Sequence, residues 1–303
     1  MIRTLVRKNN CLCLVFVGML FHCTCNAQLS DLARIEYTYI PQADSDNAIG
    51  RFRIFANFPI QLGWEGSYLV PGIEYRNTHL DIDDPVPFDT EKMDNFQSFR
   101  LSLAYTFKLK KNWRFAARTG LEVASNFERR TVVNRDLRYS GSAYMIKDRT
   151  GDEYEKPNRL IIGLEYSTNA GRPFPIPIIN YYREFHPKWS YSVGSPKTNL
   201  KYNFGKRQSL QAYVSLDGFF SNLQNDLEIN QQGSTTLADN VSMTIVMGGL
   251  GYEYGFTDHV FFYAYGAYTI FNEIRLRDRS RNNLYTINNN NTSYLRTGIK
   301  LKI

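Results

Sequence analysis

From Phe99 to Leu109 the chain alternates strictly. Phe99, Leu101, Leu103, Tyr105, Phe107 and Leu109 are apolar or aromatic, while Arg100, Ser102, Ala104, Thr106 and Lys108 between them are polar or small. A period of two sends successive side chains to opposite faces of a strand. The next segment repeats the pattern, with Trp113, Phe115, Ala117, Thr119, Leu121 and Val123 set against Arg114, Ala116, Arg118, Gly120 and Glu122. Lys110-Lys111-Asn112 between the two reads as a hairpin connection. The last residues alternate as well, Leu295, Thr297, Ile299, Leu301 and Ile303 against Tyr294, Arg296, Gly298, Lys300 and Lys302. Carried along the chain, this pattern predicts about 12 strands, at 33–40, 49–59, 64–79, 96–109, 113–127, 158–168, 175–185, 189–205, 208–223, 241–256, 259–274 and 291–303.

The connections between these strands fall into two classes. Residues 60–63, 110–112, 169–174, 206–207 and 257–258 are short; residues 41–48, 80–95, 128–157, 224–240 and 275–290 are longer. The classes alternate along the chain, except that the tight His186-Pro187-Lys188 turn falls on the long-loop side. Up-and-down hairpins place consecutive connections at opposite ends of a sheet. Short turns at one end, long loops at the other and an even strand number describe an all-β transmembrane up-and-down antiparallel barrel with both termini in the periplasm. A soluble barrel has no reason to sort its loops by end. Aromatic residues are expected at the two membrane interfaces. Phe58, Trp64, Phe107, Trp113, Phe204, Phe256 and Phe261 stand near the short turns, and Tyr39, Tyr75, Phe96, Trp189, Phe220 and Phe271 near the other ends.

Composition agrees with this picture. Aromatic residues make up 15% of the chain and charged residues 21%. A helical membrane protein has too few charges to look like this, whereas a barrel shows lipid only every second residue. The first 27 residues stand apart: Arg3, Arg7 and Lys8 are basic, Cys11–Phe21 is apolar, and Ala27 is a small residue at the end. That is the layout of a secretory signal peptide, and its apolar run is too short to cross a bilayer as a helix. A lipidated cysteine is a poorer reading, because Cys23 follows His22 and Cys25 follows Thr24. The expected organisation is a cleaved signal at 1–27 and an outer-membrane barrel domain at 28–303. All four cysteines, at 11, 13, 23 and 25, fall in the signal, so the remainder has no disulfide or thiolate chemistry. The formal charge of +7 includes the three basic residues of the signal, leaving a mild +4. No basic run with interleaved aromatics suggests a nucleic-acid partner. The expected partners are outer-membrane lipid, the barrel-assembly machinery and small solutes.

With the apolar face toward lipid, the other face lines the lumen. Arg51, Arg53, Glu65, Glu74, Arg76, Arg100, Arg114, Arg118, Glu122, Glu165, Asp217, Glu253, Arg296 and Lys300 are placed there. Opposite charges either pair across the lumen and fill it, or border water and favour anionic or zwitterionic solutes. A barrel of this size lies between the filled and the open cases. The expected function is a narrow or gated pore for small solutes. The alternatives are a closed structural or binding barrel and an outer-membrane enzyme acting on lipid. No catalytic motif is present, and no cofactor or metal is expected. His186 near Ser190 and Ser192 is the best hydrolase candidate, but an ordinary turn explains these residues better. The acidic stretch Asp81, Asp83, Asp84, Asp89, Glu91 and Asp94 lacks the spacing of a calcium loop. Pro175, Pro177, Pro187 and Pro196 cannot donate to a ladder, so a kinked or inward-folded wall is expected around 175–200.

The stretches Pro175-Ile176-Pro177-Ile178-Ile179-Asn180-Tyr181-Tyr182, His186-Pro187-Lys188-Trp189-Ser190-Tyr191-Ser192-Val193-Gly194, Pro196–Tyr202 and Leu216-Asp217-Gly218-Phe219-Phe220 resemble an outer-membrane β-barrel family of Bacteroidota, a domain-of-unknown-function family. The resemblance covers nearly all of residues 28–303 and is densest over 175–220. It implies a barrel in the outer membrane and assigns no catalytic residues. The chain departs from many outer-membrane barrels in ending on Ile303 rather than Phe or Trp, which weakens the signal read by the assembly machinery.

Overall fold

The computed structural model describes residues 31–151, 153–167, 175–231 and 233–302. The segment read as a signal peptide and the terminal Ile303 lie outside them. Among the described residues fourteen antiparallel strands close into a barrel. They are β1 (Ala33–Pro41), β2 (Ala48–Asn57), β3 (Tyr68–Asp81), β4 (Asn95–Lys110), β5 (Trp113–Ser125), β6 (Leu137–Arg149), β7 (Asn158–Ser167), β8 (Ile176–His186), β9 (Trp189–Gly194), β10 (Lys197–Asn203), β11 (Gln208–Gln231), β12 (Ser234–Gly255), β13 (Val260–Arg277) and β14 (Ser293–Leu301). Each strand pairs with its neighbour in sequence, and β14 pairs with β1 from Ala33↔Leu301 to Tyr39↔Leu295. That seam removes both sheet edges, so every wall strand finds partners on both sides. The short strand Asn283–Asn288 adds to β13 beyond the wall, and Ile60–Gln61 adds to β3.

Two strands more than expected have a clear origin. β6 lies in what read as the loop 128–157, and the segment 189–205 is a hairpin of β9 and β10 folded at Ser195-Pro196. Gly194 explains the fold: its φ is +137°, and a Cβ there would strike the carbonyl oxygen of Ile179 at 1.9 Å. Only glycine tolerates that conformation at that approach. The extra strands preserve the even count but reverse the direction of every strand between them. The His186-Pro187-Lys188 turn therefore sits at the rim where β1 begins and β14 ends, and the exception in the loop pattern disappears. The sorting of loops is looser than expected, since the Ser195-Pro196 turn lies at the opposite rim and residues 150–157 at the terminal one. We call the rim where β1 begins and β14 ends the turn rim and the other the loop rim.

The apolar side of the alternation faces outward. Ile35 and Tyr37 on β1, Leu101 and Leu103 on β4, Ile162 and Leu164 on β7, Leu216 on β11, Leu250 on β12 and Leu295 and Ile299 on β14 are all exposed on the outer surface. Glu36, Arg51, Glu74, Glu122, Glu253 and Lys300 are buried inside. This is the reverse of a water-soluble protein. A wall of this composition has lipid as its solvent.

Aromatic rings gather at the turn rim, where Trp189 packs tilted against Tyr202 at 4.7 Å between centroids, and Tyr202 with Phe204 at 4.9 Å and Tyr254 with Phe256 at 5.5 Å meet edge to face. Trp189 was expected at the other end; the missed strands account for the reversal. Phe96 and Phe220 do not belong to a girdle either, since both are buried inside the barrel. The prolines of 175–200 do not open the wall. β8 pairs with β7 without a break from Ile176 to Arg183, Pro177 standing in the ladder opposite Leu164, and with β9 through one bulge at Trp189/Ser190. Pro187 and Pro196 occupy turns, and the exposed Pro175 precedes β8.

The chain folds inward elsewhere. β11 and β12 are 24 and 22 residues long, far more than the wall needs. Beyond Phe220 their hairpin bends across the mouth. A bulge between Asn222 and Leu227, with Asn225 and Asp226 at positive φ, makes the bend. Asn222 then pairs in parallel with Ser125 at the end of β5, across the ring from β11. Leu223, Leu227, Ile229 and Ala238 of the hairpin pack in one buried cluster with wall residues Ile40, Ile49, Leu80, Ile245 and Ile274 and with loop residues Met93 and Phe88. The wall serves this cluster by a change of face. A bulge on β13 near Ile270 carries the inward set from Tyr263, Tyr265 and Thr269 to Asn272, Ile274 and Leu276.

Candidate functional site: a plugged mouth above a charged lumen

The inner face below the plug is built on acids that each serve several donors. Glu36 accepts from Arg53 at 3.1 Å, Arg34 at 3.3 Å and the Tyr263 hydroxyl at 2.5 Å. Glu74 accepts from Arg53 at 2.7 Å and Arg76 at 2.9 Å. Glu122 takes Arg100 through Nη2 at 2.6 Å and Nε at 3.2 Å. Asp217 ties three distant strands, accepting from Arg51 on β2 at 2.9 Å and, on β14, from Arg296 at 2.7 Å and Tyr294 at 2.6 Å. Glu253 gathers Lys300, Lys201 at 3.2 Å and Lys302 at 3.4 Å, with the Tyr265 hydroxyl at 2.8 Å. Alternation explains the cast: in-facing positions are two residues apart on each strand, so strands with a charge at every second place stack ladders of opposite sign. The like-charged pair Arg53↔Arg76 stands directly opposite in register. Such a pair is unfavourable unless an acid lies between, and Glu74 bonds to both.

The expected lumen residues Arg53, Glu74, Arg76, Arg100, Glu122, Asp217, Glu253, Arg296 and Lys300 are brought together in these ladders. Arg118 and Glu165 join no ion pair of these ladders among the described residues; they line a cavity that Arg76, Arg100, Glu122 and Asp217 border as well. Arg114 sits near the turn rim, donating to the Gly66 carbonyl at 2.8 Å. Glu65 is exposed in the connection between β2 and β3 and lines nothing. Arg34, Glu36, Tyr263, Tyr265 and Lys201 were missed. Arg34 and Glu36 stand on the polar face of 33–40, where Ile35, Tyr37 and Tyr39 mark the other face, so that alternation could have found them.

The lumen is not filled everywhere. A cavity of about 540 Å3 lies between the wall of β3–β7 and the inner faces of β11 and β12. Arg76, Arg100, Arg118, Glu122, Tyr144 and Glu165 line it, together with small residues of β4, β6 and β7. Phe96, Phe219, Phe220 and Met243 separate it from the plug above.

The hairpin is docked over this space by polar contacts. Asp136, fully buried in the loop before β6, accepts from Asn222 Nδ2 at 2.7 Å, Gln224 Nε2 at 2.7 Å and the Val133 backbone N–H at 2.8 Å. Asn126 binds the hairpin's backbone on both sides, its N–H donating to Asn222 O at 3.3 Å and its Oδ1 accepting from Gln224 N at 2.9 Å. Arg135 reaches Asp226 at 2.9 Å and Asp239 at 2.7 Å. In the loop after β13, the Asn282 side chain and backbone hold the Asp278 carboxyl below the usual carboxylate range.

The hydrolase trio is not assembled. His186 Nδ1 accepts from the Lys188 backbone N–H at 3.1 Å within its own turn, while Ser192 donates to Asn180 at 2.9 Å. In the acidic stretch, Asp84 accepts from Ser45 at 2.6 Å and Asp89 caps a 3-10 turn at Thr90–Met93. Asp84 thus fastens its loop to the one between β1 and β2, and Asp89 shapes its own turn.

Fold and site together define a membrane-type β-barrel, apolar outside, ion-paired inside and covered at one mouth by its own hairpin. Residues 68–302 match the model of a domain of unknown function, DUF6268, and the chain belongs to that family. Among solved structures it is similar to the NanC porin, at 11% identity over 89% of this chain and 100% of that one with a TM-score of 0.37. It is similar as well to the COG4313 outer membrane channel from Pseudomonas putida F1 (11%, 92% and 100%, 0.39) and to LpxR from Salmonella typhimurium (11%, 89% and 100%, 0.38). At such scores no function passes from them to this chain. No curated protein matches it.

Proposed function

We propose that this protein is a gated channel of a Bacteroidota-type outer membrane, seen with its mouth shut, with both termini and the turn rim in the periplasm. The observation that carries the reading is the docked hairpin. It covers a polar cavity of solute size and is held there chiefly by side-chain contacts, with one parallel backbone pairing at its base and a backbone bond from Asn230 to Pro87 further along. A wall strand is fixed by a full ladder on each side; this segment has one partner strand, and clasps and an apolar cluster in place of a second ladder, so it can leave the wall without breaking the barrel's closure. A second reading, a closed structural barrel, draws support from Asp217, whose ion pairs tie β11 to β2 and β14.

The experiment that separates them is conductance in planar bilayers. The wild-type barrel is expected to stay near baseline with rare openings. A variant with residues 224–238 replaced by a short glycine-containing turn is expected to conduct steadily. Folding of both is verified by heat-dependent mobility on gels. A folded deletion variant as silent as the wild type sinks the channel reading and leaves the structural one.

A further inference from the structure

Among the described residues, two charges in the cavity have no ionic partner. Arg118 donates from Nη2 to Ser102 Oγ at 2.8 Å, and among the described residues no carboxylate lies within 4.0 Å of its nitrogens. Glu165 accepts from the Tyr144 hydroxyl at 3.2 Å and likewise has no cation within 4.0 Å. Their neighbours differ: Arg100 and Glu122, on adjacent strands of the same cavity, close to 2.6 Å. Arg100 and Glu122 stand opposite in register and meet directly.

Register explains why Arg118 and Glu165 do not. Arg118 on β5 stands opposite Ser142 on β6, and Ser142 stands opposite Glu165 on β7. The opposite charges are therefore in line across the wall but one strand too far apart, at about 10 Å between Cα atoms for two strand spacings. The side chain between them is a single hydroxymethyl group. Small residues continue around them, with Ser102 on β4, Ser140 on β6 and Ser167 on β7. The wall thus presents a positive group, a gap lined by hydroxyls and a negative group. Charges without partners inside a barrel need water or a ligand to hold them.

We infer that this cavity is a binding site for a zwitterionic solute of the size of an amino acid or dipeptide. The solute's carboxylate meets the Arg118 guanidinium, its ammonium meets Glu165, and the serine hydroxyls take its remaining polar groups. A simple anion would satisfy Arg118 and leave Glu165 facing negative charge; a simple cation would do the reverse. About 540 Å3 falls within the usual range of small-molecule sites and leaves room for side chains and several waters. The inference deepens the channel reading by naming the class of solute, yet the site does not require the mouth to open.

The test is calorimetric titration of the purified, folded full-length barrel in detergent with three probes: L-alanyl-L-alanine, its N-acetyl form and its C-terminal amide. Titrations are repeated on an Asp136→Ala barrel, so that a shut mouth cannot hide the site. The free dipeptide is expected to bind at least tenfold more tightly than either blocked form. Arg118→Gln is expected to abolish the discrimination against the amide and keep that against the N-acetyl form; Glu165→Gln is expected to do the opposite. A merely structural role for either residue would weaken all three probes together. No saturable binding in either barrel overturns the proposal. So does equal binding of the N-acetyl and free forms, which marks an anion site, and so does a uniform loss in the variants. Binding without conductance keeps the site and sinks the channel; conductance without discrimination does the converse.

Discussion

Asp217 shows how unequal the charges of this molecule are. Its carboxylate accepts from Arg51, Arg296 and Tyr294 and from the backbone N–H of Gly218 at 2.7 Å. Arg51 has a side chain only 4% exposed, so removing Asp217 strands a buried cation. Breaking such a pair from one side costs roughly 3–5 kcal/mol, because the charge left behind keeps its desolvation penalty. Asp217→Asn is expected to lose about that much in urea unfolding of the reconstituted barrel. Arg135, with a side chain 47% exposed, makes ion pairs of similar length that are worth about 1 kcal/mol or less. A loss below about 1 kcal/mol for Asp217→Asn would mean that water reaches Arg51 and that the lumen is wetter than its packing indicates. At this scale the sequence was informative for residues already on alternating strands. The in-facing set around Arg100 and Glu122 followed from parity alone, whereas the pairing of Arg51 with Asp217 joins residues 166 apart and depends on barrel closure.

The hairpin of β11 and β12 is the element on which the functional reading turns, and it was the least legible. Residues 224–240 read as a long loop because their apolar residues do not follow the wall's period. Leu223, Leu227 and Ile229 bury in a local core and not against lipid. The prolines of 175–200 are the stronger local signal in the sequence, yet turns and an accommodating ladder position absorb all of them except Pro175, which lies just ahead of β8. β6 was equally hidden, although Leu137, Tyr139, Ala143 and Met145 do alternate with Arg138, Ser140, Ser142 and Tyr144. Its polar flanks masked it. The turn at Gly194-Ser195-Pro196 was signalled by residue type. Because Asp136 receives two hydrogen bonds from the hairpin, its replacement releases the clasp where it is tightest. Charge-assisted bonds contribute about 1.5 kcal/mol each at the low end, so Asp136→Ala is expected to raise the open fraction about a hundredfold. Single-channel recording measures it directly. An unchanged open fraction would show that the apolar cluster, and not the clasp, holds the mouth.

For the whole molecule the deciding property is which face meets which solvent. The outer surface carries Leu101 next to Ile73 on one side and Leu121 on the other, all exposed. In lipid, an arginine there must leave the hydrocarbon or drag water into it. Leu101→Arg is expected to destabilise the barrel in vesicles by about 2–4 kcal/mol. Ser140→Arg, which adds the same charge inside the polar cavity, is expected to cost much less. Equal costs would remove the lipid-facing assignment, and with it the outer-membrane location. The sequence by itself determined the period-two strands, the antiparallel barrel class and the inward placement of most charges, because strand parity is a local property carried by neighbouring residues. Only the tertiary structure decided the count of fourteen, the rim at which each turn lies, the hairpin across the mouth and the gap between Arg118 and Glu165. Those depend on closure of the ring and on register between strands, which bring together residues that share no local pattern.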